Sequence, residues 1–227
     1  MKQIYSLSIP TWLEALGRWH LAAAIAIILF FIIFGHRFSN TQEVQFDIAF
    51  LEQLRQFIPR EIGEVLRWVY IGTGAKVTAC LVVASLIYLL WRRYWSEAKY
   101  LALATLGILL LIDQVLKPIF NRRRPLESLV EVNGRSFPSG HAAGSIVFYF
   151  YLATLLAVRF PLWRYQIFAA ATLWVALIGL SSMYCRVHWP SDILAGYAIG
   201  YVWLIVSLAF LKRAEPQTYW KSIPPQE

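Results

Sequence analysis

The sequence is poor in cysteine, and the two it has are isolated. Cys80 lies within an apolar run and Cys185 near the end of another, without the paired spacing of a zinc or redox site. Charge is scarce as well, at 15% of residues against 59% hydrophobic, and with a mean hydropathy of +0.53 this excludes an ordinary soluble domain. Acidic residues are fewer than basic ones, 13 against 21, leaving a formal charge of +8. No nucleic-acid module accompanies that excess. The Lys and Arg residues lie in short connections between apolar runs, a placement suited to anionic lipid and a phosphorylated substrate. No internal repeat relates the runs to one another. What remains is an all-α, multi-span membrane protein.

Six apolar runs predict six spans: Leu21 to Phe34, Ala75 to Trp91, Tyr100 to Leu116, Gly140 to Val158, Gln166 to Met183 and Ile193 to Leu211. Glu14 precedes the first, and no small-x-small pattern follows Gly35, so that run reads as an uncleaved span rather than a signal peptide. Between the first two runs Phe46, Phe50, Leu54 and Phe57 recur at helical spacing among Asp47, Glu52, Gln53 and Arg55, which predicts an amphipathic helix ended by Pro59. That helix either packs on the bundle or lies on the membrane surface. Residues 1–213 read as one integral membrane domain, and 214–227, polar with three prolines, as a disordered tail.

The chemistry gathers between Lys117 and His141. Lys117 and Arg124 can spread charge over phosphoryl oxygens, the ammonium as a point charge and the guanidinium by paired hydrogen bonds. A helix starting at Pro138-Ser139-Gly140 offers Ser139 as N-cap and free N–H groups, which bind anions, and sets His141 on the rim. Taken singly, Arg122, Arg123 and Arg124 read as lipid-headgroup cations, Pro-Ser-Gly as a turn and His141 as an interfacial residue; together they favour a phosphate site. Asp113 lies four residues before Lys117 and is either functional or its neutralising partner. His188 and Asp192, also four apart, suit a carboxylate that fixes the imidazole tautomer of a nucleophile or base. A metal site is the competing use of those two. With two crossings between them, the connections bearing these clusters lie on one side of the membrane.

The sequence resembles the type 2 phosphatidic acid phosphatase family, which shares its site with bacterial acid phosphatases and vanadium haloperoxidases. Lys117, Arg124 and Pro125 match its first motif, and Pro138 to His141 its second. In the third, Ser181, His188 and Asp192 match, but Ser182 stands where arginine is expected. The resemblance implies that His188 attacks phosphorus to form a phosphohistidine, Asp192 orients it and His141 protonates the leaving oxygen. It also implies that Lys117, Arg124, Ser139 and Gly140 hold the phosphoryl oxygens, with no metal or other cofactor. Arg186, four residues after Ser182, either returns a guanidinium to the pocket or is an interfacial arginine.

The expected substrate is a lipid phosphate or diphosphate: undecaprenyl diphosphate, phosphatidic acid or phosphatidylglycerophosphate, with a lean to the undecaprenyl carrier. A non-catalytic lipid-phosphate binder or transporter, and a lipid phosphotransferase, are the alternatives. Basic residues divide almost evenly between the two sides of the membrane, but discounting Lys117, Arg124 and Arg186 tips the balance toward a site facing outward. The resemblance to bacterial members implies the inner membrane and its periplasmic face.

Overall fold

The computed structural model describes residues 45–214 and, of the segment before them, Ala26 alone. The run from Leu21 to Phe34 and the tail from 215 onward lie outside the described residues. Seven long helices and no strand make up the described part: α1 Gln45–Phe57, α2 Arg60–Gly72, α3 Ala75–Trp91, α4 Trp95–Phe120, α5 Gly140–Arg159, α6 Arg164–Tyr184 and α7 Pro190–Ala214.

The five expected spans that fall within the described residues become helices, with two corrections. Four helices among the described residues, α4 to α7, are long and apolar enough to cross a membrane. By contrast, α3, expected as an independent second span, has 17 residues and joins α2 across a 53° bend. Counted together, α2 and α3 are a broken span or a re-entrant pair, giving up to five crossings among the described residues. Thr73-Gly74 makes the break, and the Thr73 hydroxyl folds back onto the carbonyl of Val69 at 2.7 Å. The second correction is α2 itself. Pro59 does end α1, but it also serves as the N-cap of another helix, which suits proline because a helix start does not need its missing N–H.

The core runs along α5, whose residues Ala143, Val147, Phe148, Tyr151 and Leu155 are buried against α4 and α7. Polar caps on aromatic rings tie these helices: Tyr151 Oη donates to the Glu97 carbonyl at 2.9 Å, and Trp203 Nε1 to the Ala104 carbonyl at 2.9 Å. On the opposite faces Val83, Ile87, Leu103, Leu106, Leu110 and Leu173 are exposed, the arrangement of a bundle whose outer surface meets lipid.

Two glycines bring α5 and α7 close. A Cβ on Gly196 would fall 2.5 Å from the Ser139 carbonyl oxygen, and one on Gly200 would fall 2.6 Å from that of Ala143. Only glycine permits this approach. It sets the N-terminus of α5 beside that of α7, and the candidate site is built on those two ends.

Candidate active site

Ser139 caps α5, its hydroxyl accepting the Ala142 N–H at 3.3 Å, while its own N–H donates to the Asp192 carbonyl at 3.1 Å. The caps of α5 and α7 are thereby stitched together. Lys117 reaches the same place from α4 after a π-helical stretch, Leu111–Leu116, and its Nζ lies 3.9 Å from where a Cβ on Gly140 would be. Asp113 pairs with that Nζ at 2.6 Å, so the neutralising partner is what the structure displays.

His188 stands in the turn between α6 and α7. Val187 N–H returns to the Ser182 carbonyl and Arg186 N–H to that of Met183, a Schellman ending with Arg186 in the left-handed region at φ 52°. Two residues on, the buried imidazole of His188 turns Nδ1 toward Asp192 Oδ2 at 3.5 Å and Nε2 toward Arg124 Nη1 at 3.4 Å. The Nδ1 separation is that of an ion pair rather than of a formed hydrogen bond, and Nδ1 has no other partner among the described residues. The tautomer with its N–H on the Asp192 side is the one that places a lone pair on Nε2. Burial pushes the imidazole down to about 4, against the opposing pull of Asp192, so it is neutral at physiological pH.

The three arginines of the first motif divide by an extended chain. Asn121, left-handed at φ 48°, ends α4, and the residues after it alternate in direction with the period of two of extended backbone. Arg123 is exposed, whereas Arg122 and Arg124 turn inward. Arg124 donates from Nη1 to the Val187 carbonyl at 2.9 Å beside His188, and burial pulls its basicity below the ordinary range. Arg122 is not a headgroup cation. It is 4% exposed and donates to Asp192 Oδ1 at 2.8 Å, to Ser191 Oγ at 2.7 Å and to Asp47 Oδ2 at 2.6 Å.

Asp47 and Ser191, which the motifs do not mark, thus belong to the surroundings of the site. Asp47 comes from α1 and accepts the Ser191 N–H at 3.0 Å in the first turn of α7. Thr73 and Tyr70 are two more. The Thr73 carbonyl, at the bend between α2 and α3, accepts a hydrogen bond from His141 Nε2 at 2.6 Å, and the Tyr70 ring lies 5.2 Å from the imidazole. A polar carbonyl freed by a helix break was the available signal, and the Gly72-Thr73-Gly74 sequence carries it.

Ser182 and Arg186 take separate paths. Ser182 is fully buried and bonds its own helix, donating to the Ile178 carbonyl at 2.9 Å. Arg186 Nη1 faces Glu127 Oε2 at 3.5 Å, a carboxylate that Arg55 of α1 approaches at the same distance. Arg186 Nε is buried without a partner among the described residues. No three His, Cys, Asp or Glu side chains among the described residues converge as metal ligands.

The sequence model of the PAP2 superfamily matches residues 98–216, slightly more than half of the chain. The chain is 25% identical over 181 residues to phosphatidylglycerophosphatase B of Bacillus subtilis, spanning 78% of this chain and 88% of that protein. It is 29% identical to lipid A 1-phosphatase of Rhizobium etli, over 62% of this chain and 66% of the other. In fold it is similar to the crystal structure of a transmembrane PAP2 type phosphatidylglycerolphosphate phosphatase from Bacillus subtilis, with a TM-score of 0.74 and 23% identity over 84% of this chain and 96% of that one. The crystal structure of Aquifex aeolicus LpxE gives a TM-score of 0.60 and 25% identity over 74% and 97% of the two chains.

Proposed function

The chain belongs to the PAP2 superfamily, and from that premise we propose that it is a membrane lipid phosphatase working through a phosphohistidine on His188. One observation carries the proposal: Nε2 of His188 stands 3.4 Å from the Arg124 guanidinium while Nδ1 faces Asp192; with the ring proton on Nδ1, the lone pair is on Nε2. A phosphoryl group held by Arg124, Lys117, Ser139 and the Gly140 N–H lies in front of that lone pair. Nε2 attacks phosphorus, the bond to the lipid oxygen breaks, and His141 delivers its proton to that oxygen. Water then gives a proton to His141 and its oxygen to phosphorus, freeing phosphate and restoring both imidazoles. Side-chain cations and backbone N–H groups balance the charge of the transferring group, so this route is metal-independent.

The substrate class is a lipid phosphomonoester or diphosphate, because a tail can lie against the exposed apolar faces of the helices while its headgroup meets the basic end of the bundle. The relative named phosphatidylglycerophosphatase B, 88% of which the chain spans, favours a glycerol-linked phosphate over the undecaprenyl carrier. Arg186 supplies the cation missing at Ser182. Its contact with Glu127 is long, and Glu127 is exposed, so the pair is worth no more than about 1 kcal/mol and yields to a phosphoryl dianion. The site faces the periplasm from the inner membrane, on a single domain with six crossings when the Leu21 to Phe34 run is counted.

The test is phosphate release, with EDTA present, from phosphatidylglycerophosphate, phosphatidic acid, a lipid A phosphate and undecaprenyl diphosphate in detergent. Release that depends on His188, together with a phosphoprotein that survives an alkaline quench and is lost in acid, is the expected result. Binding without release would instead identify a lipid-phosphate binder disabled at Ser182, and transfer to a labelled lipid acceptor would identify a phosphotransferase.

A further inference from the structure

Behind Asp192, on the side away from His188, the structure buries a second layer of charge. Each oxygen of the Asp192 carboxylate has its own donors. Oδ2 accepts the Trp189 N–H at 2.9 Å and faces His188, whereas Oδ1 accepts Arg122 Nη1 at 2.8 Å. Rotating the carboxylate breaks both sets. Arg122 is held just as firmly, because the other arm of its planar guanidinium donates to Asp47 at 2.6 Å and its face lies 5.4 Å from the Trp189 ring. Asp47 also accepts from the Ser191 N–H and hydroxyl, so a carboxylate of α1 helps to cap α7. Asp47 and Asp192 are fully buried and Arg122 is 4% exposed. In such surroundings charges act on one another with little screening.

We infer that Arg122 and Asp47 are positioning residues: Arg122 aims Asp192 and limits how strongly it draws a proton to His188, and Asp47 in turn limits Arg122. The inference rests on His188 being the nucleophile. An unopposed Asp192 would favour the imidazolium, which has no lone pair with which to attack phosphorus; Arg122, donating to the other oxygen, offsets that. Arg124, His141 and Asp192 are the charged or titratable groups that act on His188 directly, while Lys117 acts on His141 and Tyr70 on Arg124. Arg122 meets Asp192 directly, at 2.8 Å.

Opposite charges in series give opposite effects, and that separates positioning from mere support. In Arg122→Gln, proton uptake by His188 should move up by about one pH unit, the scale of a charge removed a few ångströms away. Adding Asp47→Asn to that variant should bring it part of the way back. Arg122→Lys keeps the charge but not the two-armed fork, so its uptake should stay near the parental pH while kcat falls several-fold.

The measurement is the titration of the His188 imidazole by NMR in detergent-solubilised full-length protein, assigned with His188→Gln, beside the pH profile of kcat/KM. Shifts of both variants in one direction, or no shift in either, would overturn the inference. If Arg122→Gln does not fold, Asp47→Asn alone decides: its acid limb must move to lower pH, and an unmoved limb refutes the coupling. A parent that releases no phosphate from any lipid sinks the phosphatase reading instead, and the imidazole titration still reports on the network.

Discussion

His188 and His141 lie within electrostatic reach of each other and are held in different ways. His188 sits in a short turn between two long helices, with Asp192 on one nitrogen, Arg124 on the other and buried charge behind. His141 rides on the first turn of α5, and its described hydrogen bond runs to a backbone carbonyl at the bend of the α2–α3 pair. A nucleophile must keep one lone pair in one direction, which ion pairs and a rigid turn achieve. A general acid must release its proton to an arriving oxygen, and a single neutral acceptor is easier to replace. On the roles proposed for them, fixed charge and backbone carbonyl are divided between the two histidines by task.

The comparison breaks hardest at His188. His188→Ala should lower turnover on the order of a millionfold, the scale of a lost nucleophile, while binding of a lipid phosphate survives because Lys117 and Arg124 remain. Equilibrium binding of the lipid phosphate to the variant checks both halves. His141→Ala should cost roughly a hundred- to ten-thousandfold on a lipid phosphate but far less on an activated aryl phosphate, whose leaving group needs no proton. Equal losses on the two substrates would assign His141 a binding or structural role. Arg186→Ala should lower kcat/KM about ten- to a hundredfold, the range of one charge-assisted hydrogen bond, with folding intact. A variant as active as the parent would leave Arg186 as a partner of Glu127 alone. Smallest is the effect of mild acid. Because His188 stays neutral until about 4, kcat/KM should change little between pH 7 and 5 on its account and reach half its plateau near 4. Were the imidazole in an ordinary setting, the limb would sit near its usual value of about 6.5.

Local signals made part of this legible. Ser139 and Pro190 announce helix starts, and the spacing of four between His188 and Asp192 places both at one helix end; the structure realises each. The division of Arg122 from Arg123 was hidden because a run of like residues hides its own periodicity. Alternation emerges only once Asn121 ends the helix and the chain becomes extended. Asp47 was hidden for another reason. On an amphipathic helix an acidic residue reads as solvent-facing, and its partners Arg122 and Ser191 are 75 and 144 residues away. The bend after Gly72 escaped notice because the apolar run restarts at once at Ala75, so hydropathy passes over a break that hydrogen bonding does not.

With Arg186 in its proposed phosphate role, the left-handed backbone there sets folding against function. At the end of a Schellman turn glycine is the residue at ease, and a side chain there costs roughly 1 kcal/mol or more. Arg186→Gly should therefore make the detergent-solubilised protein harder to unfold by up to about 1 kcal/mol while making it a poorer catalyst. A gain in melting temperature joined to a loss in kcat/KM is the signature of a position where the best residue for the turn and the best residue for the phosphate are not the same.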